Sequence, residues 1–348
     1  MGISAAIFGC SGKALTPEER EFYNTVQPWG FILFGRNIDN PEQVAELVSD
    51  LKSCVKHDDM PVLIDQEGGR VRRLRPPHWP EYHSGAVIGE HYRHDRQRGL
   101  RIAWLQSRLM AFDLLRLGIN VDCLPVLDVP VPGSHDVIGD RAYGNEPDSV
   151  TELGRSASLG LLDGGVLPVI KHIPGHGRAG VDSHKELPRV SASREELTSR
   201  DFPPFKALSD MPMAMTAHVV YEAVDSAFPA TSSRIVVDKI IRGEIGFDGL
   251  LMCDDLSMNA LSGDFSQRTH SAFAAGCDVV LHCNGDLGEM TEVSEALIEL
   301  EGVCMTRAQA AMERLHSVDN SKEQDLRIEF EMLCNTAEYN SDPTEATG

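Results

Sequence analysis

Residues 61–65, Pro61-Val62-Leu63-Ile64-Asp65, form a short apolar, β-branched run that ends on a carboxylate. Seven more runs of this kind follow one another along the chain, separated by longer stretches with helical spacing of apolar residues. Strand and helix in alternation indicate βαβ units and a parallel sheet, and eight strands are enough to close it. The sequence therefore predicts an α/β fold, a single-domain (β/α)8 TIM-type barrel, with strands at 5–8, 30–34, 61–64, 119–127, 167–170, 213–216, 249–252 and 278–281.

Helix signals occupy the intervening stretches. Asn40-Pro41-Glu42 supplies an N-cap, a proline at the first helical position and an early acid. Helical spacing also predicts helices over 100–117 and 307–315. The 348 residues fit one barrel domain over 1–336, whereas 337–348 are polar, contain Pro and Gly, and predict a disordered C-terminal tail.

Charge and cysteine usage limit the function classes. A formal net charge of −21 disfavours nucleic acid and anionic membranes, which are bound through Lys and Arg. The eight cysteines form no C-x-x-C pair and lie mostly in apolar runs, as reduced thiols do. The N-terminus has no basic leader, and no segment approaches the roughly 20 apolar residues of a membrane span. We expect a cytoplasmic protein, neither exported nor membrane-embedded.

Polar residues follow most of the predicted strands. In a closed α/β barrel the carboxyl ends of the strands form the active face, so polar side chains at those ends indicate function. A lone Asp there could equally cap a helix, but several converging on one face favour an active site. The strand-end residues are Asp65, Asp128, the loop pair Asp140-Arg141, Lys171-His172, His218, Asp254-Asp255 and His282-Cys283-Asn284.

The stretch 171–184 is the richest in such residues. Its three glycines and one proline predict an irregular, mobile loop, of the type that closes over substrate. The stretch ends in Asp182-Ser183-His184. An aspartate two residues before a histidine can fix the imidazole tautomer and raise its basicity, which makes His184 a candidate general acid and base. The alternative is a local turn at Asp182 with His184 on the surface.

The pair Asp254-Asp255 is the second candidate. Successive strand residues point to opposite faces, so only one of the two carboxylates can look into the barrel mouth. That residue would be a nucleophile or an electrostatic stabiliser. The sequence alone leaves open which of the two it is, and also leaves open that the pair caps the next helix.

At these residues the chain resembles a known family, the bacterial β-N-acetylhexosaminidases of glycoside hydrolase family 3, of the NagZ type. The resemblance covers about residues 30–284. Long motifs in the same order carry it: ILFGRN at 32–37, IDQEGGRV at 64–71, KHIPGHG at 171–177, DSH at 182–184 and DDLSM at 254–258.

The resemblance implies a retaining, exo-acting hydrolysis of terminal β-linked N-acetylglucosamine. No nucleotide, flavin or metal signature is evident in the sequence, so we expect that no cofactor is required. It implies that Asp254 is the nucleophile and that His184, with Asp182 as its partner, is the acid/base. The family's sugar-binding positions fall on Asp65, Arg73, Arg141, Lys171 and His172. The implied substrate is the N-acetylglucosaminyl-1,6-anhydromuramic acid disaccharide and its peptides, in peptidoglycan recycling.

The residues supply reasons for this assignment. Most glycosidases pair two carboxylic acids. When an imidazole replaces one of these two acids, its neutral form adds no second negative charge beside the glycosyl ester. Arg73 and Arg141 place positive charge in the mouth of an acidic protein, which suits a carboxylate-bearing muropeptide. Arg70 and Arg72 could instead pair with acids such as Glu67, and Arg72 stands where the family commonly has Gln, which bears on aglycone preference.

The same residues are compatible with other functions. A zinc hydrolase would use His172, His176, His218 and His282, but Pro174-Gly175 prevents the helix that i, i+4 ligands need. The three histidines at 176, 218 and 282 are more simply explained as wall residues. A sugar sensor without turnover and a phosphorolytic enzyme also fit the sequence. We expect a small saccharide or muropeptide as the binding partner, and a monomer or weak homo-oligomer.

Overall fold

Eight parallel strands form one barrel in a computed structural model that describes residues 2–58, 60–183, 185–316 and 321–335. The first seven strands pair with one another in chain order, and the eighth pairs with the first. A parallel bridge between Met252 and Val279 joins the remaining two edges and closes the barrel. The strands are β1 (Ser4–Phe8), β2 (Pro28–Leu33), β3 (Val62–Ile64), β4 (Val121–Asp122), β5 (Leu167–Ile173), β6 (Met213–Thr216), β7 (Leu250–Met252) and β8 (Val280–His282).

Helices connect the strands around the outside, and a short parallel pair, Arg189–Val190 with Val220–Tyr221, lies apart from the barrel sheet. The helices are α1 (Pro17–Val26), α2 (Pro41–Ser53), α3 (Gly85–His94), α4 (Arg96–Leu115), α5 (Pro147–Asp163), α6 (Arg194–Glu196), α7 (Phe202–Ala207), α8 (Phe265–Ala275), α9 (Leu287–Ser294), α10 (Gly302–Met312) and α11 (Glu323–Cys334). Leu197–Asp201 and Val236–Glu244 are π-helical, and single 3₁₀ turns occur at Gly35–Asn37, Gly139–Arg141, Ala230–Ser232 and Glu313–His316.

The predicted (β/α)8 fold is confirmed, and local sequence explains where its helices begin. The Asn40 side chain accepts a hydrogen bond from the Gln43 N–H (3.0 Å), as expected of an N-cap before Pro41. The helix predicted over 100–117 begins four residues earlier, at Arg96. There Asp95 caps it by accepting from the N–H groups of Gln97 and Arg98. The predicted tail 337–348 lies outside the described residues.

Two strands differ in length from the prediction. The fourth, predicted over 119–127, pairs regularly only over Val121–Asp122. Pro125 interrupts the ladder because it has no N–H to donate, and pairing resumes as an isolated bridge between Val126 and Lys171. The fifth strand continues to Ile173, so Lys171 and His172 belong to the strand and not to the irregular loop that follows.

The barrel interior and the layer between strands and helices form one apolar core. Residues of β2, β3, β5, β6, β7 and β8 are buried throughout, because side chains fill the barrel on one face and helices cover the other. All eight cysteines are free thiols, and six of them are buried. Within the described residues, no helix combines the length and apolar character that crossing a membrane requires.

Asp278, which is 1% exposed, links the closing seam of the barrel to two outer helices. Its carboxylate accepts hydrogen bonds from the Leu251 N–H (2.8 Å), from Arg242 on the second π-helical segment (2.7 Å) and from Arg307 on α10 (3.0 Å). A buried carboxylate is tolerated only with partners of this kind. Asp278 therefore fixes the helices against the last pair of strands.

Asp278→Ala should lower the free energy of unfolding by about 3 kcal/mol, because it leaves the Arg242 guanidinium and the Leu251 N–H without their buried acceptor. Urea unfolding followed by circular dichroism measures the change. The control is Asp238→Ala, which removes the exposed partner of Arg234 and should cost no more than about 0.5 kcal/mol. Equal losses in the two variants would contradict this role of Asp278.

Candidate active site

The carboxyl ends of the strands surround a cavity of about 320 Å³, at the small end of the range for ligand sites. Seven of the eight residues singled out from the sequence line this cavity: Asp65, Arg73, Arg141, Lys171, His172, Asp182 and Asp254. The eighth, His184, lies outside the described residues. The structure thus brings together side chains from the ends of β3, β5 and β7 and from the loops between them.

A continuous network of ion pairs forms the floor of the cavity. Lys171, 2% exposed, donates from Nζ to Asp65 Oδ1 (2.8 Å) and contacts Glu67 Oε1 (2.7 Å). Arg73 donates to the second oxygen of Asp65 (2.8 Å), and Arg141 binds both oxygens of Glu67 (2.8 Å each). Three cations and two carboxylates therefore alternate in the order Arg73, Asp65, Lys171, Glu67, Arg141.

The network is ionised at neutral pH. Burial opposes ionisation of Glu67, but Arg141 and Lys171 outweigh it and lower the pKa of that carboxyl to about 2. Burial likewise opposes ionisation of Asp65, and Lys171 and Arg73 still hold its pKa below the ordinary value. The pKa of Lys171 is raised despite burial, because Asp65 and Glu67 stabilise its charged form. Strong donors and acceptors are thus held in place before a ligand arrives.

Arg70 and Arg72 do not pair with Glu67, the partner suggested for them by the sequence. Glu67 pairs with Arg141 and Lys171, whereas Arg70 pairs with Asp140 (2.6 Å) and Arg72 with Glu81 (2.7 Å). Since Arg73 and Arg141 are each bound to a carboxylate, their charge is balanced within the cavity floor. The positive charge expected there for a substrate anion is correspondingly reduced.

Asp128 orients the imidazole ring of His172. This fully buried carboxylate accepts hydrogen bonds from His172 Nδ1 (2.6 Å) and from the backbone N–H of His176 (2.6 Å). Burial opposes ionisation of Asp128, but His172 outweighs it and lowers the pKa to about 2. His172 therefore carries its proton on Nδ1, and Nε2 is the ring nitrogen left for a ligand. The sequence placed Asp128 among the strand-end residues and offered Glu67 as a partner of Arg70 or Arg72, but it predicted neither the contact with His172 nor those with Lys171 and Arg141.

The loop after β5 packs closely against the barrel. A Cβ on Gly177 would lie 2.2 Å from the Val129 carbonyl oxygen, so only glycine fits there. The Tyr221 hydroxyl donates to the Gly175 carbonyl (2.7 Å). Arg178 donates to Asp201 (2.7 Å). The irregular course predicted for this loop is found, and these contacts fix its described part.

Ser183 links the loop after β5 to the loop after β7. Its hydroxyl lies 3.3 Å from His176 Nε2, and its carbonyl accepts from the N–H of Ala260 in the loop after β7 (3.2 Å). Asp182 and Ser183 both line the cavity. The residues just before position 184 are therefore held beside the loop that carries Asp254.

The two acids after β7 have different surroundings. Asp255 uses both carboxylate oxygens within the protein, accepting from the N–H and hydroxyl of Ser257 (3.0 and 2.5 Å) and from the Cys283 N–H (3.0 Å). Asp254 is half-buried in the cavity wall, and one of its oxygens accepts from the Asp255 N–H (2.8 Å). Asp255 thus has a structural role, which favours Asp254 as the reacting carboxylate.

Two other histidines considered as zinc ligands, His218 and His282, are each held by hydrogen bonds to different partners. His218 Nε2 donates to the Asp255 carbonyl (3.0 Å) and its Nδ1 lies 2.7 Å from the Thr231 hydroxyl, while burial lowers its pKa. His282 Nε2 lies 2.9 Å from Glu289. In the described part of the chain, no three His, Cys, Asp or Glu side chains are grouped to hold a metal ion. The geometry gives no support to a zinc hydrolase.

Sequence comparison matches residues 12–318 to the family described as glycosyl hydrolase family 3 N terminal domain. A protein named Beta-hexosaminidase from Alkalilimnicola ehrlichii is 35% identical over 94% of this chain and 100% of its own length. Another protein of that name, from Methylococcus capsulatus, is 39% identical over 80% of this chain and 82% of its own.

Solved structures of this family are also similar to the chain. NagZ from Neisseria gonorrhoeae, in complex with N-trifluoroacetyl-D-glucosamine, superposes with a TM-score of 0.86 at 30% identity, over 96% of this chain and 99% of that one. A glycoside hydrolase family 3 β-N-acetylglucosaminidase from a Paenibacillus species has a TM-score of 0.83 at 28% identity, over 95% and 67% of the two chains. The similarity thus extends over nearly the whole barrel.

His176→Gln should flatten the pH dependence of stability. Burial, with His172 nearby, lowers the pKa of His176 to about 4, below the ordinary value of 6.5. Between these values the unfolded chain binds a proton that the folded chain does not, so stability falls as pH drops from 6.5 to 4. The variant should reduce the loss between pH 7.5 and 4.5 by roughly 2 kcal/mol.

Urea unfolding at the two pH values measures this difference. The control is His270→Gln, an exposed position on α8, which should leave the pH dependence as in the original protein. An unaltered loss of stability in His176→Gln would show that His176 is not held neutral in the folded state.

Proposed function

The chain belongs to glycosyl hydrolase family 3, and we propose that it acts as an exo-β-N-acetylglucosaminidase with retention of configuration. Relatives named Beta-hexosaminidase support the choice of sugar, as does the similar NagZ structure with its N-trifluoroacetylated glucosamine. The observation that carries the proposal is geometric. Asp254 and the segment Asp182-Ser183, on loops after two different strands, line one cavity whose floor is the ion-pair network.

In the first step, the Asp254 carboxylate attacks the anomeric carbon while His184, as its imidazolium, protonates the glycosidic oxygen. The bond to the leaving sugar breaks and a glycosyl ester forms on Asp254. In the second step, neutral His184 takes a proton from water as the water oxygen attacks the anomeric carbon. The ester bond breaks, which restores Asp254 as a carboxylate and His184 as an imidazolium.

Asp182 would accept a hydrogen bond from the N–H of the other His184 ring nitrogen and so fix its tautomer. A histidine suits this site because its deprotonation adds no second negative charge near Asp254. The contacts of Ser183 with His176 and Ala260 support the assignment, since they hold the residue before His184 beside the loop that carries Asp254.

The charged floor would hold the sugar ring. Asp65 presents two carboxylate oxygens, each already bound by a cation, and these suit vicinal hydroxyl groups as hydrogen-bond donors. Lys171 and His172 Nε2 are the complementary groups for sugar oxygens. Because every charge has a protein partner, the floor keeps its shape when the ligand leaves.

We further propose that the aglycone is 1,6-anhydromuramic acid, with or without its peptide, and that the enzyme works in cytoplasmic peptidoglycan recycling. The resemblance of the long motifs to the NagZ type supports this substrate. The eight free thiols are in keeping with a reducing compartment.

A slow fluorinated N-acetylglucosamine analogue should trap the glycosyl ester on Asp254. Peptide mass spectrometry should find the added mass on that residue, and Asp254→Asn should remain unlabelled. The same substitution should lower kcat/KM by at least about 10³-fold, which corresponds to roughly 4 kcal/mol of transition-state stabilisation. A label on Asp255 would overturn the choice of nucleophile.

His184→Ala should lower kcat/KM for an unactivated disaccharide by about 10²–10⁴-fold, because its leaving group needs a proton. A dinitrophenyl N-acetylglucosaminide, whose leaving group needs none, should lose far less. His135→Ala, an exposed histidine near the same loop, is the control and should not distinguish the substrates. Equal losses on both substrates would contradict the acid role, and failure of the unaltered protein to turn over either would favour a sugar-binding protein without catalysis.

A further inference from the structure

A buried ion pair joins the loop after β5 to the first π-helical segment, Leu197–Asp201. Arg178 Nε donates to Asp201 Oδ2 (2.7 Å), and the two side chains are 14% and 1% exposed. Neither residue lines the candidate active site, and neither the catalytic steps nor the sugar-binding floor described above uses them. Any effect of this pair on the reaction must therefore be exerted through the loop.

Asp201 contacts the loop at two points, on either side of His176. It packs against Gly175 so closely that a Cβ on that glycine would lie 3.1 Å from the Asp201 Cβ. Its carboxylate binds Arg178, two residues beyond His176. The Tyr221 hydroxyl, which donates to the Gly175 carbonyl (2.7 Å), adds a further contact to the same turn. Residues 175–178 are thus held by groups that lie outside the loop.

His176 links this turn to the residues that precede position 184. Its Nε2 lies 3.3 Å from the Ser183 hydroxyl. Asp182 and Ser183 line the cavity, and the proposed acid/base His184 follows them directly in the chain. A shift of the 175–178 turn would therefore displace the segment that leads to His184.

The π-helical segment that carries Asp201 is itself fixed to the barrel. Leu197, at its start, is fully buried in the apolar core. Arg200 donates to the carbonyls of Pro130 and Asn145 in the loop after β4. A bond to this segment therefore fixes the loop after β5 relative to the rest of the active face.

The negative charge of Asp201 does not serve stability. Burial raises the pKa of Asp201 from 3.8 to about 6, with a contribution from Asp128, although Arg178 and Arg200 lower it. A raised carboxyl pKa means that the folded chain binds the proton more tightly than the unfolded chain does, so ionised Asp201 at pH 7 opposes folding. Its Oδ1 is buried and has no hydrogen-bond donor among the described residues. A buried charge kept against stability favours a role in function.

We propose that Arg178 and Asp201 are positioning residues for the proton transfer, because their ion pair holds the loop after β5 where His184 reaches the glycosidic oxygen. This inference rests on the proposed function, which makes His184 the acid/base. Proton transfer needs a donor and an acceptor within roughly 2.6–3.2 Å, so a small displacement of the loop weakens it. The attack by Asp254 starts from a different loop and depends less on this pair.

Arg178→Gln and Asp201→Asn should each lower kcat/KM for an unactivated N-acetylglucosaminyl disaccharide by about tenfold, since a misplacement of about 1 Å can reduce a rate by 10²-fold. A dinitrophenyl N-acetylglucosaminide, whose leaving group needs no proton, should lose less than about twofold. The double variant should lose no more than either single variant, because both remove the same ion pair. Arg178→Lys keeps the positive charge and should recover part of the activity.

The matched control is Arg189→Gln, which removes an exposed ion pair with Glu222 beyond the same loop and should leave both substrates unaffected. Urea unfolding verifies that each variant folds, and trapping with the fluorinated N-acetylglucosamine analogue counts the active sites. Equal losses on the two substrates, per active site, would overturn the inference, because they would indicate a general structural defect. Additive losses in the double variant would also overturn it.

Amide hydrogen exchange tests the anchoring without turnover. The N–H groups of Gly175, His176 and Ala179 are hydrogen-bonded and report on the turn. They should exchange faster in Arg178→Gln than in the unaltered protein, and at the unaltered rate in Arg189→Gln. Unchanged exchange in Arg178→Gln overturns the inference, whatever the activity. If the unaltered protein cleaves neither substrate, the proposed function fails, while faster exchange in Arg178→Gln still supports the pair as the anchor of the loop.

Discussion

Lys171 is a buried ammonium group between two carboxylates, and the active end of the barrel is organised around it. A buried charge is tolerated only when it has partners of opposite sign, and Lys171 has two, Asp65 and Glu67, which are themselves bound by Arg73 and Arg141. These residues come from β5 and from the loops after β3 and β4, so the network also fixes those loops relative to one another. A rigid, charged floor is well suited to hold polar sugar hydroxyls in one orientation.

Much of this arrangement could be predicted from the sequence, because it follows from local pattern. Each barrel strand is a short apolar run, and the polar residues directly after those runs meet at one end of the barrel. What could not be predicted were pairings set by the folded chain. Glu67 is bound by Lys171, 104 positions later, and not by a neighbouring arginine. The structural role of Asp255 depends on the backbone N–H of Cys283, 28 residues away. The fourth strand is short because Pro125 has no N–H to donate to the ladder, a limit on pairing that the sequence itself contains.

Membership of glycosyl hydrolase family 3 connects this floor to chemistry. Asp254 stands in one wall of the cavity, and Ser183 is bound to the loop after β7 through the Ala260 N–H and lies beside His176 of its own loop. The end of β5 supplies His172, oriented by Asp128, and the loop that follows leads to His184.

The central claim is that the ion-pair floor and Asp254 act on one bound pyranose. A crystal structure of the protein with an N-acetylglucosamine-derived inhibitor tests it most directly. The account predicts ring hydroxyls hydrogen-bonded to Asp65 and Lys171, with the anomeric carbon about 3–3.5 Å from a carboxylate oxygen of Asp254. A sugar bound away from the floor, or with its anomeric carbon turned away from Asp254, would contradict the account.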